Sequence, residues 1–154
     1  MLDYRSSKQS TGYGSGIVAY IDATGLHGII AARGDELVDF NDYHTKWGRW
    51  SEIIGTGTAI GDGKSNTAKI VKVYGEGEYA AKLCHYWRWY LPSKDELNEL
   101  YKNRHIIGNF KEDMYWTSSE LDKEYAWIQD FGNGNQINRM KTYYYVRVRA
   151  IRYF

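Results

Sequence analysis

The hydrophobic pattern changes its period late in the chain, and this change constrains the fold more than any other feature. Ser93 and Glu96 form a capping box ahead of apolar residues at helical spacing, which predicts a helix up to Tyr101. From Met114 onward the apolar residues alternate with a period of two, which is typical of half-buried strands. The C-terminal region is therefore predicted to be an antiparallel meander of four strands, over residues 114–119, 125–131, 136–141 and 144–151.

The region before this change predicts a hairpin followed by helices. Residues 16–21 and 26–32 are strand-like segments that flank a turn at Gly25. Residues 35–63 have no sustained period and predict a long ordered loop. Two short helices are then expected, over residues 67–74 and 78–86.

The order of these segments predicts the fold class. A hairpin, then two or three helices, then a meander is typical of an α+β domain and not of a parallel doubly wound one. A chain of 154 residues is long enough for one sizeable core. We expect a single domain over residues 16–154, preceded by a flexible arm at residues 1–15, whose sequence is polar and rich in Gly and Ser.

Charge and aromatic content narrow the classes of function. The 20 Lys and Arg against 19 Asp and Glu leave a net charge of +1, so no global field attracts nucleic acid or an anionic membrane. Aromatic residues make up 16% of the chain, with 15 Tyr, which gives contact area at low entropic cost. No segment resembles a signal peptide or a membrane span. We therefore expect a recognition function, with no nucleic-acid binding and no membrane insertion.

Motifs for catalysis and metal binding are incomplete. The glycine-rich segment 55–65 is not a P-loop, because Thr58 stands where that motif requires glycine. Cys84 is the single cysteine, which excludes an internal disulfide and a thiolate zinc site. Its neighbour His85 points elsewhere on a helix, so Cys84 is expected to be a buried core thiol. The 4 histidines have no zinc-ligand spacing. We expect no catalytic residues, no metal and no cofactor.

Two other functions remain open on residue types alone. The carboxylates of Glu120, Asp122 and Asp130 lie near aromatic residues and are candidates for the acid and base of a glycoside hydrolase. A tyrosine- and arginine-bearing strand face near the C terminus is typical either of single-strand nucleic-acid binding or of simple sheet coverage. The near-neutral charge disfavours nucleic acid. The residues of this face are Tyr143, Tyr145, Arg147, Arg149 and Ile151.

Several segments, taken in order, resemble a known domain family. The most specific are Trp89-Tyr90-Leu91-Pro92-Ser93, then Tyr115-Trp116-Thr117-Ser118-Ser119-Glu120, and Tyr145-Val146-Arg147 with Arg149 near the end. Together with weaker pieces from about Gly16 to Phe154, they resemble the bacterial and phage domain family found at the C-terminal end of collagen-like adhesins.

This resemblance implies a C-type-lectin-like fold that is displayed on a cell or virion or secreted, and that in some members forms a homotrimer. It also implies kinship with the variable proteins of diversity-generating retroelements, in which C-terminal codons are rewritten while the scaffold is kept. Carried over residue by residue, the changeable ligand-binding positions are Leu121, Asp122, Lys123, Glu124, Tyr125, Ile128, Asp130, Asn133, Asn135, Ile137, Asn138, Arg139, Thr142, Tyr143 and Tyr144.

The sequence also departs from related proteins. The calcium-dependent lectin motifs Glu-Pro-Asn, Gln-Pro-Asp and Trp-Asn-Asp are absent, since Pro92 follows Leu91 and Trp116 precedes Thr-Ser-Ser. Formylglycine-generating enzymes, which share the general fold, hold copper through paired cysteines, whereas Cys84 is alone. The resemblance therefore implies neither a calcium-bridged sugar site nor an oxidase.

Strand parity gives a separate prediction for the segment around Trp127. Trp127, Gln129 and Phe131 share a face that fits a core, so Ile128 and Asp130 are expected to point outward. An exposed Ile among polar residues is typical of a binding surface.

The sequence thus predicts a non-enzymatic module for receptor recognition or adhesion, with a protein or glycan ligand on a cell surface. The alternatives are a structural or trimerising head whose aromatics pack against its own copies and, third, a hydrolase. Binding is expected through surface complementarity. The expected rigid anchors are Tyr125, Tyr143 and Tyr144, the adaptable polar contacts are Asp130, Asn133, Asn135 and Asn138, and the charge selector is Arg139.

Overall fold

A computed structural model describes residues 16–39 and 41–154, so the arm predicted for residues 1–15 lies outside the described residues. The described chain forms four helices and two small antiparallel sheets, which confirms the α+β class. None of its helices has the length and apolarity needed to cross a membrane. The elements are β1 (Ile17–Ile21), β2 (Gly28–Ala31), α1 (Gly63–Tyr74), α2 (Ala80–Tyr86), α3 (Lys94–Lys102), α4 (Arg104–Ile107), β3 (Met114–Glu120), β4 (Tyr125–Asp130), β5 (Gln136–Met140) and β6 (Ile151–Tyr153).

The first sheet joins the two ends of the described chain. Strand β2 lies in the centre, pairs with β1 in the predicted hairpin, and pairs with β6 on its other side. Ala31 faces Ile151 in the second pair, and the Gly28 amide donates to the Phe154 carbonyl at 3.0 Å. The last strand of the chain therefore belongs to the N-terminal sheet and not to the meander.

The second sheet is a meander in the order β3, β4, β5, with β4 in the centre. Trp127 of β4 pairs with Asn138 of β5, and all pairs are antiparallel. The register between β3 and β4 shifts after Trp116, where the Thr117 hydroxyl donates to the Trp127 carbonyl at 2.8 Å. Three of the four predicted C-terminal strands therefore form one sheet.

Helix α3 begins at the predicted capping box. The Ser93 hydroxyl accepts from the Glu96 amide at 3.3 Å, and the Glu96 carboxylate accepts from the Ser93 amide at 2.8 Å. Leu97 and Leu100 form the buried face of the helix. Glu96 also accepts from the Gly63 amide at 2.9 Å, so it joins the start of α3 to the start of α1. Burial raises the pKa of Glu96.

Helix α1 begins earlier than the sequence pattern indicates. It starts at Gly63, within the segment assigned to a loop, while α2 starts at Ala80 and not at Glu78. A Cβ on Gly63 would overlap the Glu96 carboxylate and the Leu91 carbonyl. Glycine therefore permits a close approach between α1 and the start of α3, which local propensity does not reveal.

Two apolar clusters hold these elements together. The Trp47 cluster joins α1, α2 and the second sheet, and the indole N–H of Trp47 donates to the Thr117 carbonyl at 2.8 Å. The other cluster joins the first sheet to α3 and α4 and includes Phe131. Cys84 is buried in the Trp47 cluster, and this burial raises the pKa of its thiol. The prediction of a core thiol is confirmed.

Residues 144–150 do not form the predicted fourth strand of the meander. They run as an irregular segment with single bridges from Val146 to Thr45 and from Arg147 to Tyr115. Val146, Val148 and Ala150, which alternate along the segment, are buried, whereas Tyr144, two residues before Val146, is exposed. Arg149 and Ile151 of the opposite face are buried as well, so the expected alternation between a buried and an open face is wrong here. The segment packs between the long loop and β3 and does not extend the sheet.

Candidate ligand-binding surface

The positions predicted to bind ligand lie along β4 and β5 and at both ends of this pair. At one end Tyr125 pairs with Met140, and the Lys141 amide donates to the Glu124 carbonyl at 2.8 Å. This contact brings the β3–β4 turn beside the segment after β5, while the β4–β5 turn lies at the far end. The exposed or half-buried positions are Leu121, Asp122, Lys123, Glu124, Tyr125, Asp130, Asn133, Asn135, Ile137, Asn138, Arg139, Thr142, Tyr143 and Tyr144.

Ile128 is fully buried, so the prediction that it faces outward was wrong. Its side chain is 0% exposed and packs in the Trp47 cluster. The opposite face of β4 is also covered, because Lys94 Nζ lies 4.4 Å from the Trp127 ring centre and Gln129 donates to a side chain of α3 at 2.9 Å. Trp127, which was expected in the core, is only half-buried, so the parity prediction assigned the inner and outer faces of this strand wrongly.

The β4–β5 turn uses its polar side chains to hold its own backbone. The Asp130 carboxylate accepts from the Gly132 amide at 2.7 Å, and the Asn133 side-chain oxygen accepts from the Asn135 amide at 2.9 Å. Such short-range bonds are typical of Asx turns. Asp130 is only half-buried, yet one carboxylate oxygen already has a partner within the turn.

The β3–β4 turn is stabilised in the same way. One carboxylate oxygen of Asp122 accepts from the amides of Glu124 and Tyr125, each at 2.8 Å. The side chains of Leu121 and Lys123, on either side of Asp122 in this turn, are exposed. This turn therefore offers an apolar group and a cation on a fixed backbone.

Tyr143, Tyr144 and Tyr145 form an exposed aromatic cluster, which we call the tyrosine surface. Their exposed fractions are 36%, 40% and 65%. Tyr145 packs edge-on against both neighbours, with ring centres 6.0 Å from Tyr143 and 5.9 Å from Tyr144. The Tyr143 amide donates to the Met140 carbonyl at 2.8 Å, which fixes the cluster to the end of β5. Tyr145 is absent from the predicted ligand-binding set.

A series of bonded polar groups lies behind the tyrosine surface. The Tyr144 hydroxyl donates to Asp42 at 3.2 Å. His44 lies between Asp42 and Asp113, with ring nitrogens 3.2 and 2.9 Å from the two carboxylates. Arg147 Nε donates to Asp113 at 2.9 Å. We call Asp42, His44, Asp113 and Arg147 the His44 network, and it fixes the hydroxyl of Tyr144.

The arginines assigned to an outward strand face are neutralised inside the protein. Arg149 is fully buried, and its Nε and Nη2 lie 2.9 and 2.7 Å from the Asp35 carboxylate. Arg147 Nη1 donates to the same carboxylate at 3.2 Å. Ile151 of this face is also buried. The face considered for nucleic acid is therefore not an exposed basic surface.

Hydrogen bonds favour the charged form of both aspartates in the His44 network. The backbone amide of His44 donates to Asp42, and this bond is the main reason that the pKa of Asp42 is lowered. Burial opposes ionisation of Asp113, but the bonds from His44 and Arg147 outweigh it and lower the pKa of Asp113. The network therefore keeps negative charge beneath the tyrosine surface.

The long loop adds apolar side chains that the sequence did not indicate. Trp50 and Ile53 are 56% and 68% exposed. The loop passes beside the end of β5, where the Gly48 amide donates to the Lys141 carbonyl at 3.0 Å. The segment has no period, so the sequence signals only that apolar residues occur in a loop and not which of them are exposed.

The carboxylates considered for hydrolysis have structural contacts. Glu120 is buried, pairs with Lys141 Nζ at 2.9 Å and accepts from the Gly55 amide at 2.7 Å. Asp122 and Asp130 accept from amides of their own turns. Over residues 16–39 and 41–154, no three His, Cys, Asp or Glu side chains are grouped so that they would hold a metal ion. Each of these carboxylates has a role that requires no substrate.

Comparisons with known proteins complete the description of the site. No model of a protein family matches the chain, and a search of curated proteins also finds no match. What the surface binds is therefore inferred from its own residues.

Proposed function

We propose that the chain is a non-enzymatic ligand-binding module that acts in receptor recognition or adhesion through the tyrosine surface. The observation that carries this proposal is that exposed tyrosine rings stand on a bonded polar network. Rigid aromatic side chains give contact area at low entropic cost, and Tyr is enriched at interfaces. Trp50, Ile53 and Leu121 are further exposed apolar side chains, and such groups are common at interaction sites.

We also propose a C-type-lectin-like fold and a relationship to the C-terminal domains of bacterial collagen-like adhesins, displayed on a cell or virion or secreted. The hairpin, the helices and the meander agree with the arrangement that the resemblance implies. Motif residues such as Trp116, Ser118 and Ser119 are buried, whereas the changeable positions, apart from Ile128, keep some exposure. This division supports kinship with the variable proteins of diversity-generating retroelements.

Binding to intact bacterial cells and to a printed glycan array tests the proposal. Tyr144→Ala and Tyr145→Ala are each expected to weaken binding by about tenfold or more, because truncating an interface anchor typically removes at least about 1.4 kcal/mol. Fluorescently labelled protein gives the affinity on cells and on the array. The melting temperature should change little, since both rings are exposed.

Tyr86→Ala is the matched control, because Tyr86 is 55% exposed but lies at the end of α2 and outside the tyrosine surface. It should leave binding unchanged. Equal binding by the Tyr144→Ala and Tyr145→Ala variants and the unmodified protein would contradict the proposal. In the neighbouring DNA, a reverse transcriptase beside a near-copy of the 3′ end would support diversification of this surface.

A structural head that packs against its own copies is the second candidate. The cluster of Tyr143, Tyr144 and Tyr145 favours it as well, because self-association would bury these exposed rings. Sedimentation velocity distinguishes the two functions. A tight trimer whose assembly is abolished by Tyr145→Ala would assign the tyrosine surface to self-contact. A monomer that binds cells supports recognition.

A further inference from the structure

We propose that the tyrosine surface recognises a basic peptide segment of its partner, with a Lys or Arg side chain lying against Tyr144 and Tyr145 and near the carboxylate of Asp42. This inference rests on the proposed function and names the chemistry of the ligand. Three observations carry it: the exposed rings, the negative charges around Tyr144, and the orientation of the nearby cations.

The first observation is that these rings are accessible to a cation from outside. Tyrosine faces attract Lys and Arg, and several rings of this protein already bind its own cations. Arg147 lies 5.5 Å from the Tyr43 ring centre, and Arg139 lies 5.9 Å from that of Tyr143. Within residues 16–39 and 41–154, no comparable contact is found on Tyr144 or Tyr145.

The second observation is that the hydroxyl of Tyr144 bonds to an exposed carboxylate, that of Asp42. Its bond to Asp42 is 3.2 Å long, and the side chain of Asp42 is itself 41% exposed. Loss of solvent around the hydroxyl, followed by the charges of Asp42, Glu78 and Asp39, raises the pKa of Tyr144. Negative charges that oppose ionisation of a phenol attract a cation to the same place.

The third observation is that three cationic groups around the surface, Arg147, His44 and Arg139, are held by other partners. Arg147 donates to Asp113 and Asp35 behind the surface. His44 contacts Asp42 and Asp113, and its ring centre lies 6.4 Å from that of Tyr145. Arg139 donates to a β5 carbonyl beside the Tyr143 ring, at the opposite edge. The Tyr144 edge therefore attracts a basic side chain and repels an acidic one.

Titration with charged peptides tests this inference. The protein is labelled at the tyrosine rings for NMR and titrated with tetra-arginine, tetra-serine and tetra-glutamate peptides. Tetra-arginine is expected to shift the resonances of Tyr144 and Tyr145 and to leave Tyr86 unchanged. Its affinity should fall about threefold to fivefold in Tyr145→Ala, as expected for loss of one exposed cation–π contact, and should weaken as ionic strength rises.

Asp42→Asn removes the charge but keeps an oxygen that accepts from the His44 amide, and it should weaken tetra-arginine binding about threefold to fivefold. Asp95→Asn is the matched control, because it makes the same change at an exposed position of α3 and should leave the affinity unchanged.

Tetra-glutamate or tetra-serine binding as tightly as tetra-arginine would overturn the inference, as would full affinity in Asp42→Asn or the absence of any shift at Tyr144 and Tyr145. These results would leave the proposed function intact if Tyr145→Ala still weakens binding to cells. If tetra-arginine binds as expected but Tyr145→Ala leaves cell binding unchanged, the proposed function fails and the cationic site remains.

Discussion

The β4–β5 turn and the tyrosine surface both contain positions that were expected to bind ligand, but their polar groups have different roles. In the turn, the polar side chains of the half-buried Asp130 and the exposed Asn133 bond to neighbouring amides. On the tyrosine surface, the polar bonds lie behind the rings, where Asp42 holds the hydroxyl of Tyr144, and the rings themselves face solvent. Exposure alone therefore does not make a side chain available.

This difference concerns the free energy that binding must offset. A ligand at the turn competes with bonds that shape the loop, and a lost buried or local hydrogen bond costs about 1 kcal/mol. A ligand on the tyrosine surface meets rings whose support is already bonded, so little ordering is required. We therefore expect the tyrosine surface to contribute most of the binding free energy and the turn to contribute shape.

The largest effect is expected from the support behind the tyrosine surface. Arg149→Met should lower the free energy of unfolding by about 3–5 kcal/mol, because it leaves the buried Asp35 carboxylate with only its bonds to Arg147 and Tyr115. Urea unfolding followed by fluorescence measures this loss. Arg139→Met is the control and should cost less than about 1 kcal/mol, since Arg139 is only half-buried. Equal losses of unfolding free energy in Arg149→Met and Arg139→Met would contradict a specific stabilising role for the ion pair between Arg149 and Asp35.

An effect of intermediate size is expected when a substitution in the β4–β5 turn is compared with one on the tyrosine surface. Asp130→Ala removes the bond to the Gly132 amide and should lower the free energy of unfolding by about 1 kcal/mol. Tyr145→Ala should change it by less than about 0.5 kcal/mol, because the ring is exposed. Thermal unfolding by circular dichroism tests both. The reverse order of losses would assign Tyr145 to the core and would contradict the contrast between the two regions.

The smallest effect is expected in how the folding stability depends on acidic pH. The pKa of Asp113 lies below the ordinary value of 3.8, so its stabilising effect is present above about pH 4 and is lost as the pH falls through the folded-state pKa. The stability difference between the unmodified protein and Asp113→Asn should therefore shrink below pH 4. Burial raises the pKa of Glu96, so the contribution of Glu96 to the pH dependence of stability has the opposite sign. This contribution is the same in both proteins and cancels in the difference. A difference that stays constant down to pH 2 would contradict this role.

The helices and strands followed from the sequence wherever their cause is local. The capping box of Ser93 and Glu96 is complete within one helical turn, and α3 begins where it predicts. The alternation from Met114 correctly predicted three strands of the meander. The start of α1 at Gly63 was missed, because it depends on a close approach to a residue of α3.

The candidate site was only partly predictable. Tyr143 and Tyr144, both exposed, were in the predicted set because the family resemblance implied them, not because of a local pattern. Tyr145 was not in the set because it belongs to the motif Tyr145-Val146-Arg147 that carries the resemblance, although the strand pattern placed it on the same outward face as Tyr143. The partners that hold the surface, Asp42 and Asp113, are distant from it in sequence, and no period or motif connects them.

The amino-acid sequence by itself determined part of the local structure of this protein: the N-terminal hairpin, the start of α3 and the three strands of the meander. Only the tertiary structure decided which faces are covered, that Ile128 is buried, and that Arg147 and Arg149 bond inward to aspartates. The physical reason is that backbone hydrogen bonds and side-chain periods are set within a few residues. Burial and charge pairing depend on which distant segments pack against them.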